Sequence, residues 1–173
     1  TGGIKLEKTF FNVHDIAREI IQNFTNLAFE KDIRMVNSIP PGGQVFADRH
    51  LYFVVLNNLM SNAIKFSRRG GMVELFLPDS QRPMSVAVRD NGEGMSSDYA
   101  EKLFRSDIKT SSKGTKGETG SGLGLLFCNG IIEANYGRIM VESEEGVGST
   151  FVIQLPECSK VNHEEEEARL AVF

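Results

Sequence analysis

The chain has 173 residues, 40% of them hydrophobic, and its 19 basic and 23 acidic side chains leave a formal charge of -4. That length holds one well-packed domain, and the mixed, slightly acidic charge excludes a broad basic field for nucleic acid, so any phosphate-bearing ligand must be bound locally. Two cysteines are too few for a disulfide framework, and the absence of both a long apolar run and a signal peptide at "TGGIKLEKTFF" predicts a cytoplasmic domain without direct membrane contact, any anchor lying outside this chain.

The first predicted element is a short strand, "KTFFNV", followed by a helix over "NVHDIAREIIQNFTNLAFEKD". Asn12 serves as its cap, and Ile16, Ile20, Phe24 and Leu27 mark its apolar stripe. "IRMVNSI" reads as a strand closed by the Pro40-Pro41-Gly42-Gly43 turn. Asp48 caps a second helix that runs to about Phe66, and Gly70-Gly71 ends it. "MVELFL" and "MSVAVRD" read as neighbouring strands joined through "SQRP", and Ser96 to Phe104 as a short helix. Thr110 to Ser121 lacks any apolar side chain and is read either as a plain disordered loop or as a mobile lid. A third long helix, Leu123 to Ala134, carries Cys128 as a small core residue, and "RIMVES" and "STFVIQL" form a final strand pair around "EEGVG". The acidic segment "HEEEEARLAVF" is a solvated tail or the beginning of a further domain. The pattern predicts an α+β fold, a mixed sheet covered on one face by three helices.

Three stretches carry chemistry. On the second helix Asn58, Asn62 and Lys65 fall within about 60° of one another, opposite the face that holds Phe53, Leu56, Leu59, Met60 and Ala63. An earlier turn of that polar side is apolar, with Leu51, Val54 and Val55, so the amides are not simply solvated. Helix-to-helix hydrogen bonding is one reading. The other is a site in which an amide oxygen serves as a hard ligand for Mg²⁺ and Lys65 meets phosphates as a point charge.

In "MSVAVRDNGEGM", strand alternation aims Asp90 to the same side as Met84, Val86 and Val88. An inward carboxylate needs specific donors, such as an adenine amino group with ordered water. Gly92 and Gly94 permit a tight turn and close approach to a flat ring, although D-N-G alone is also an ordinary turn. In "GETGSGLGL", Gly120, Gly122 and Gly124 open the third helix, whose free N–H groups suit an anion. The spacing fits neither a Walker loop nor the dinucleotide fingerprint.

Taken in this order, "NLMSNAIKF", "DNGEGM" and "GETGSGLGL" resemble the ATP-binding catalytic domain of sensor histidine kinases, within the Bergerat-fold (GHKL) ATPase superfamily. The resemblance covers residues 9–156, through the closing "GRIMVESEEGVGSTFVIQLP". It leaves 1–8 as the remnant of an upstream helical domain or linker and 157–173 as an acidic tail or linker. It implies a two-layer Bergerat-type sandwich with ATP and Mg²⁺ as cofactors. Asn62 would ligate the metal, Asp90 would bind the adenine amino group, and Asn58 and Lys65 would contact the phosphates, with catalytic roles. Gly92 and Gly94 would shape the base pocket, and Gly120, Ser121, Gly122, Leu123 and Gly124 would close over the phosphates. Phe104 resembles the family's phenylalanine motif, and Thr150 would help hold the water beside Asp90.

Hydrolytic members and serine-kinase relatives carry a glutamate one turn before the metal asparagine, and here that position is Asn58. An amide cannot act as that base. Transfer to an already nucleophilic imidazole needs mainly positioning and charge neutralisation, so a histidine kinase is favoured over a GHKL ATPase. A nucleotide-binding interaction module without kinase activity is the rival. His14, His50 and His163 do not occupy acceptor positions. His14 sits in "HDIARE", which lacks the proline of the family's acceptor motif and lies within the catalytic-domain match. The resemblance places the acceptor histidine on upstream dimerisation helices, and makes a response regulator receiver domain the downstream partner.

Overall fold

The structure, a computed structural model, describes residues 5–79, 84–105 and 124–156. Its elements in chain order are β1 (Lys8–Asn12), α1 (Val13–Glu30), β2 (Arg34–Asn37), β3 (Gln44–Asp48), α2 (Arg49–Phe66), β4 (Met72–Phe76), β5 (Ser85–Asp90), α3 (Ser97–Ala100), α4 (Gly124–Ala134), β6 (Arg138–Glu144) and β7 (Gly148–Gln154). Among the described residues the strands form a five-stranded sheet of order β2-β4-β5-β7-β6 and a separate ribbon of β1 with β3. Only the β2–β4 pairing in the sheet is parallel; its other three pairings are antiparallel. The expected α+β architecture with a mixed sheet is present.

Local chemistry accounts for the long helices. Asn12 caps α1, its Oδ1 accepting from His14 N, and Val13, Ile16, Ala17 and Ile20 are buried at helical spacing. Asp48 caps α2, and Tyr52, Val55, Leu56, Leu59, Met60, Ala63 and Ile64 are buried along it. The apolar face of α2 is wider than the stripe predicted for it, because α1 and α4 both pack against this helix as well as β5. On the sheet side, Val73, Leu75, Val86, Val88, Phe151 and Ile153 complete the core.

Three expectations are corrected. Leu27, placed on the apolar stripe of α1, is 46% exposed, with Ala28 buried in its stead. β3 is a strand where only a connection to α2 was expected, and it draws β1 away from the main sheet into the ribbon, with Phe11 opposite Val45 and Phe10 opposite Phe46. Val45 and Ala47 alternate into the core, but five residues running straight into a helix cap give too short a period-two signal to read. The helix expected over Ser96 to Phe104 is regular only over Ser97–Ala100, and turns follow.

Candidate nucleotide site

The site is assembled at the junction of α2, the loop after β5 and the first residue of α4. The cap of α2 is firm: Asp48 accepts from Leu51 N at 3.0 Å and from Glu7 N at 2.9 Å. Burial raises the pKa of this carboxyl, but the backbone donors from Leu51, Glu7 and His50 outweigh it and hold the group below its ordinary value.

Farther along α2, Asn58 and Asn62 are half-buried, and Asn62 Nδ2 donates to Asn58 Oδ1 at 3.4 Å. That is a long, weak contact. Asn62 Oδ1 accepts no hydrogen bond among the described residues, so a hard neutral oxygen is left with ligand capacity, which fits a magnesium ion. Gly124 lies directly on Asn58: a Cβ at Gly124 would stand 2.8 Å from Asn58 Nδ2. The first described residue of α4 thus meets the amide face of α2. Lys65 is half-buried, with Nζ 4.9 Å from the centroid of the Phe66 ring. Gly120, Ser121, Gly122 and Leu123 lie outside the described residues, as do Thr110 to Ser121 and His163.

Asp90 ends β5 on the same side as Val86 and Val88 and is 6% exposed. Its Oδ1 accepts from Gly92 N at 2.9 Å, and the Ser149 backbone N–H also reaches the carboxylate. Burial dominates over these donors and pushes its pKa up to about 6. Among the described residues no cation pairs with it. It is an acceptor set into an apolar wall, framed entirely by main chain.

The glycines beside it form the expected tight turn and are packed against main chain. Gly92 is pressed against the carbonyl of Phe66 at the end of α2, and Gly94, in the left-handed region at φ 65°, against the carbonyl of Glu144. Both positions are therefore filled by protein main chain, and no side chain fits either. Glu93 N donates to Phe66 O at 3.1 Å, tying this loop to α2.

Thr150 is not beside Asp90. It pairs with Arg89 across the β5–β7 ladder and with Glu142 across β6–β7, and alternation sends all three side chains to the sheet face opposite Asp90. Ser149 is the residue opposite Asp90, and its hydroxyl is 2.8 Å from that of Ser143. One residue of phase separates the two assignments, and only the pairing register resolves it. Asn91, unassigned from sequence, is structural: its Oδ1 accepts from Met72 N at 2.7 Å and fixes the start of β4. That bond spans 19 residues, so the Asp-Asn-Gly turn signal, which announces only bonds within the turn, could not have revealed it. Phe104 is half-buried against the core. His14 lies in the first turn of α1, with Nδ1 2.6 Å from the Ile39 carbonyl oxygen. Cys128 is buried on α4, and burial pushes its thiol up to about 11.

Fold and site together define a Bergerat-type domain, and the chain belongs to the family of histidine kinase-, DNA gyrase B- and HSP90-like ATPases, whose model matches residues 47–159. It is 34% identical over 145 residues to the adaptive-response sensory kinase SasA of Crocosphaera subtropica, across 82% of this chain and 37% of that protein. The nucleotide-free catalytic domain of histidine kinase ThkA superposes with a TM-score of 0.72 at 28% identity, covering 87% of this chain and 95% of that one. ThkA in complex with the response regulator protein TrrA gives 0.69 at 26% identity, covering 90% and 43%. The curated relatives are sensor kinases of which this chain spans well under half. Among the described residues no helix is long and apolar enough to cross a membrane.

Proposed function

We propose that this chain is the ATP-binding catalytic domain of a two-component sensor histidine kinase, which passes the γ-phosphate of Mg-ATP to a histidine on separate dimerisation helices. The observation that carries this reading is Asp90: a carboxylate 6% exposed, held by backbone donors and unpaired with any cation among the described residues. Such a group accepts from the amino edge of adenine and rejects a keto edge.

From that anchor the triphosphate extends toward α2. Asn62 offers its amide oxygen to magnesium, and Asn58 and Lys65 meet phosphate oxygens as donors. Gly124 lets the start of α4 approach the same place, with Gly120, Ser121, Gly122 and Leu123 completing the cover. Magnesium, when bound, neutralises phosphate charge. Ser149 takes the role beside the base that the sequence had given to Thr150. The domain works in the cytoplasm, and the phosphate acquired by the dimerisation helices passes on to a response regulator receiver. Asn58 stands where hydrolytic relatives carry their glutamate, so transfer rather than hydrolysis is the reaction.

The test is transfer in trans. Labelled ATP with this chain alone should give almost no hydrolysis and no self-labelling, and adding the upstream helical segment of the parent protein should yield acid-labile, alkali-stable phosphate on that segment. His14→Ala should not change the yield. ATP binding without transfer to any helical segment would instead favour the kinase-inactive interaction module, and labelling of His14 would overturn the assignment of a separate acceptor.

A further inference from the structure

Lys31 is 2% exposed, an unusual position for a lysine, and the nucleotide chemistry proposed above does not use it. It follows α1 in a tight reversal, where Asp32 N donates to Phe29 O at 3.0 Å and Ile33 N to Ala28 O at 2.8 Å, with Asp32 in the left-handed region at φ 56°. This turn directs the side chain across to the far end of α2. There Nζ donates to the carbonyl of Ile64 at 2.9 Å and to that of Lys65 at 2.7 Å.

The last carbonyls of a helix have no intrahelical partner and must find donors elsewhere. At the end of α2 all of them do. Ala63 O accepts from Ser67 N at 3.0 Å and Ser67 Oγ at 2.7 Å, and Phe66 O accepts from Glu93 N at 3.1 Å. The two between them, Ile64 and Lys65, are held by Lys31, whose ammonium also lies at the end of the helix where a cation is favourable. The turn so fixed carries Lys65 and follows directly on Asn62.

We propose that Lys31 is a positioning residue of the nucleotide site. Resting on the Mg-ATP reading above, this inference makes Lys31 the clamp that sets where Lys65 stands relative to Asp90. It touches neither nucleotide nor metal. Without it the buried Ile64 carbonyl and the half-buried Lys65 carbonyl lose their donor, and the last turn of α2 is free to fray or tighten, which moves the Lys65 ammonium away from the phosphates while Asp90 keeps its own backbone frame.

The experiment compares Mg-ATP and adenosine binding by wild type, Lys31→Met, Lys65→Met and the double variant, with melting temperature measured in parallel. Lys31→Met should weaken Mg-ATP by about fivefold or more, as expected for hydrogen bonds made by a charged donor, while adenosine affinity changes less than about twofold. In the Lys65→Met background the same change should cost less than about twofold, because residues acting through one another are not additive. If Lys31→Met does not fold, Lys31→Arg, which keeps the cation but displaces its donors, should show the same split between Mg-ATP and adenosine. A lower melting temperature with equal losses for Mg-ATP and adenosine, or full additivity with Lys65→Met, would overturn the positioning role. Failure of the wild type itself to bind Mg-ATP would count against the proposed function instead, so the two failures are distinct.

Discussion

The base end and the phosphate end of the candidate site are built differently. Around Asp90 the frame is main chain: Gly92 N and Ser149 N on the carboxylate, Gly92 against Phe66, Gly94 against Glu144 and Gly148 against Asp90 itself. On α2 the frame is side chain: two half-buried amides linked by one contact of 3.4 Å, with Gly124 resting on Asn58. Main chain fixed in a ladder makes a selective, preformed socket. Amides with unused bonding capacity make a receptive surface that a metal and an oxyanion can complete. Selectivity for the base should therefore precede ligand binding, whereas order at the phosphates should follow from it.

The largest effect that separates the two ends should come from their glycines. Gly94→Ala puts a methyl group against the Glu144 carbonyl at a left-handed φ of 65°, and should destabilise the fold by about 3 kcal/mol or more in chemical unfolding. Among the described residues, Gly124→Ala first meets the end of the Asn58 side chain, which can turn aside. It should cost less than about 1 kcal/mol of stability, within the range of a change that needs only rotamer adjustment, yet weaken ATP binding. Equal destabilisation by the two substitutions would contradict a rigid base end and a yielding phosphate end.

Asn62→Ala should weaken the magnesium-dependent part of ATP binding about tenfold and leave adenosine affinity nearly unchanged, since uniform binding by the base is retained. Titrations with and without magnesium that are equally unaffected would make the asparagine face structural.

A smaller effect follows from titration. Asp90 has its pKa raised from 3.8 to about 6 by burial, so the protonated form is favoured in the folded state, and the stability it contributes below pH 3.8 is lost as pH rises through about 6. Base recognition has the opposite sign, because the carboxylate is the acceptor. The preference for ATP over GTP should therefore decline as pH falls below about 6, by up to about tenfold per pH unit. Taking the ratio of two triphosphates cancels protonation of the phosphates. In Asp90→Asn the ratio should be flat across this window.

The contrast between the two ends also explains what could be read from sequence. Helical periodicity and caps are local, so α1, α2 and the roles of Asn12 and Asp48 in capping them were legible, as was the phase that aims Asp90 inward. The fold class followed from element order. Ser149 was not legible, because choosing it over Thr150 requires the register between β5 and β7, a property of two distant segments. β3 was hidden by its shortness, and its pairing with β1 by the same lack of long-range information. Lys31 is the extreme case: a lysine at the end of an amphipathic helix reads as solvated, and nothing local announces that its ammonium closes another helix 33 residues away.

In the proposed function Asp90 selects adenine for a site whose phosphate end lies on α2, and calorimetric titration of ATP and GTP into wild type and Asp90→Asn near neutral pH puts this to the test. The wild type should bind ATP with clear preference over GTP. Asp90→Asn should remain folded and lose most of its ATP affinity, on the order of a hundredfold, as a buried acceptor is replaced by a group that also presents donors. Unchanged ATP affinity in Asp90→Asn, or a wild type that binds ATP and GTP alike, would contradict the account.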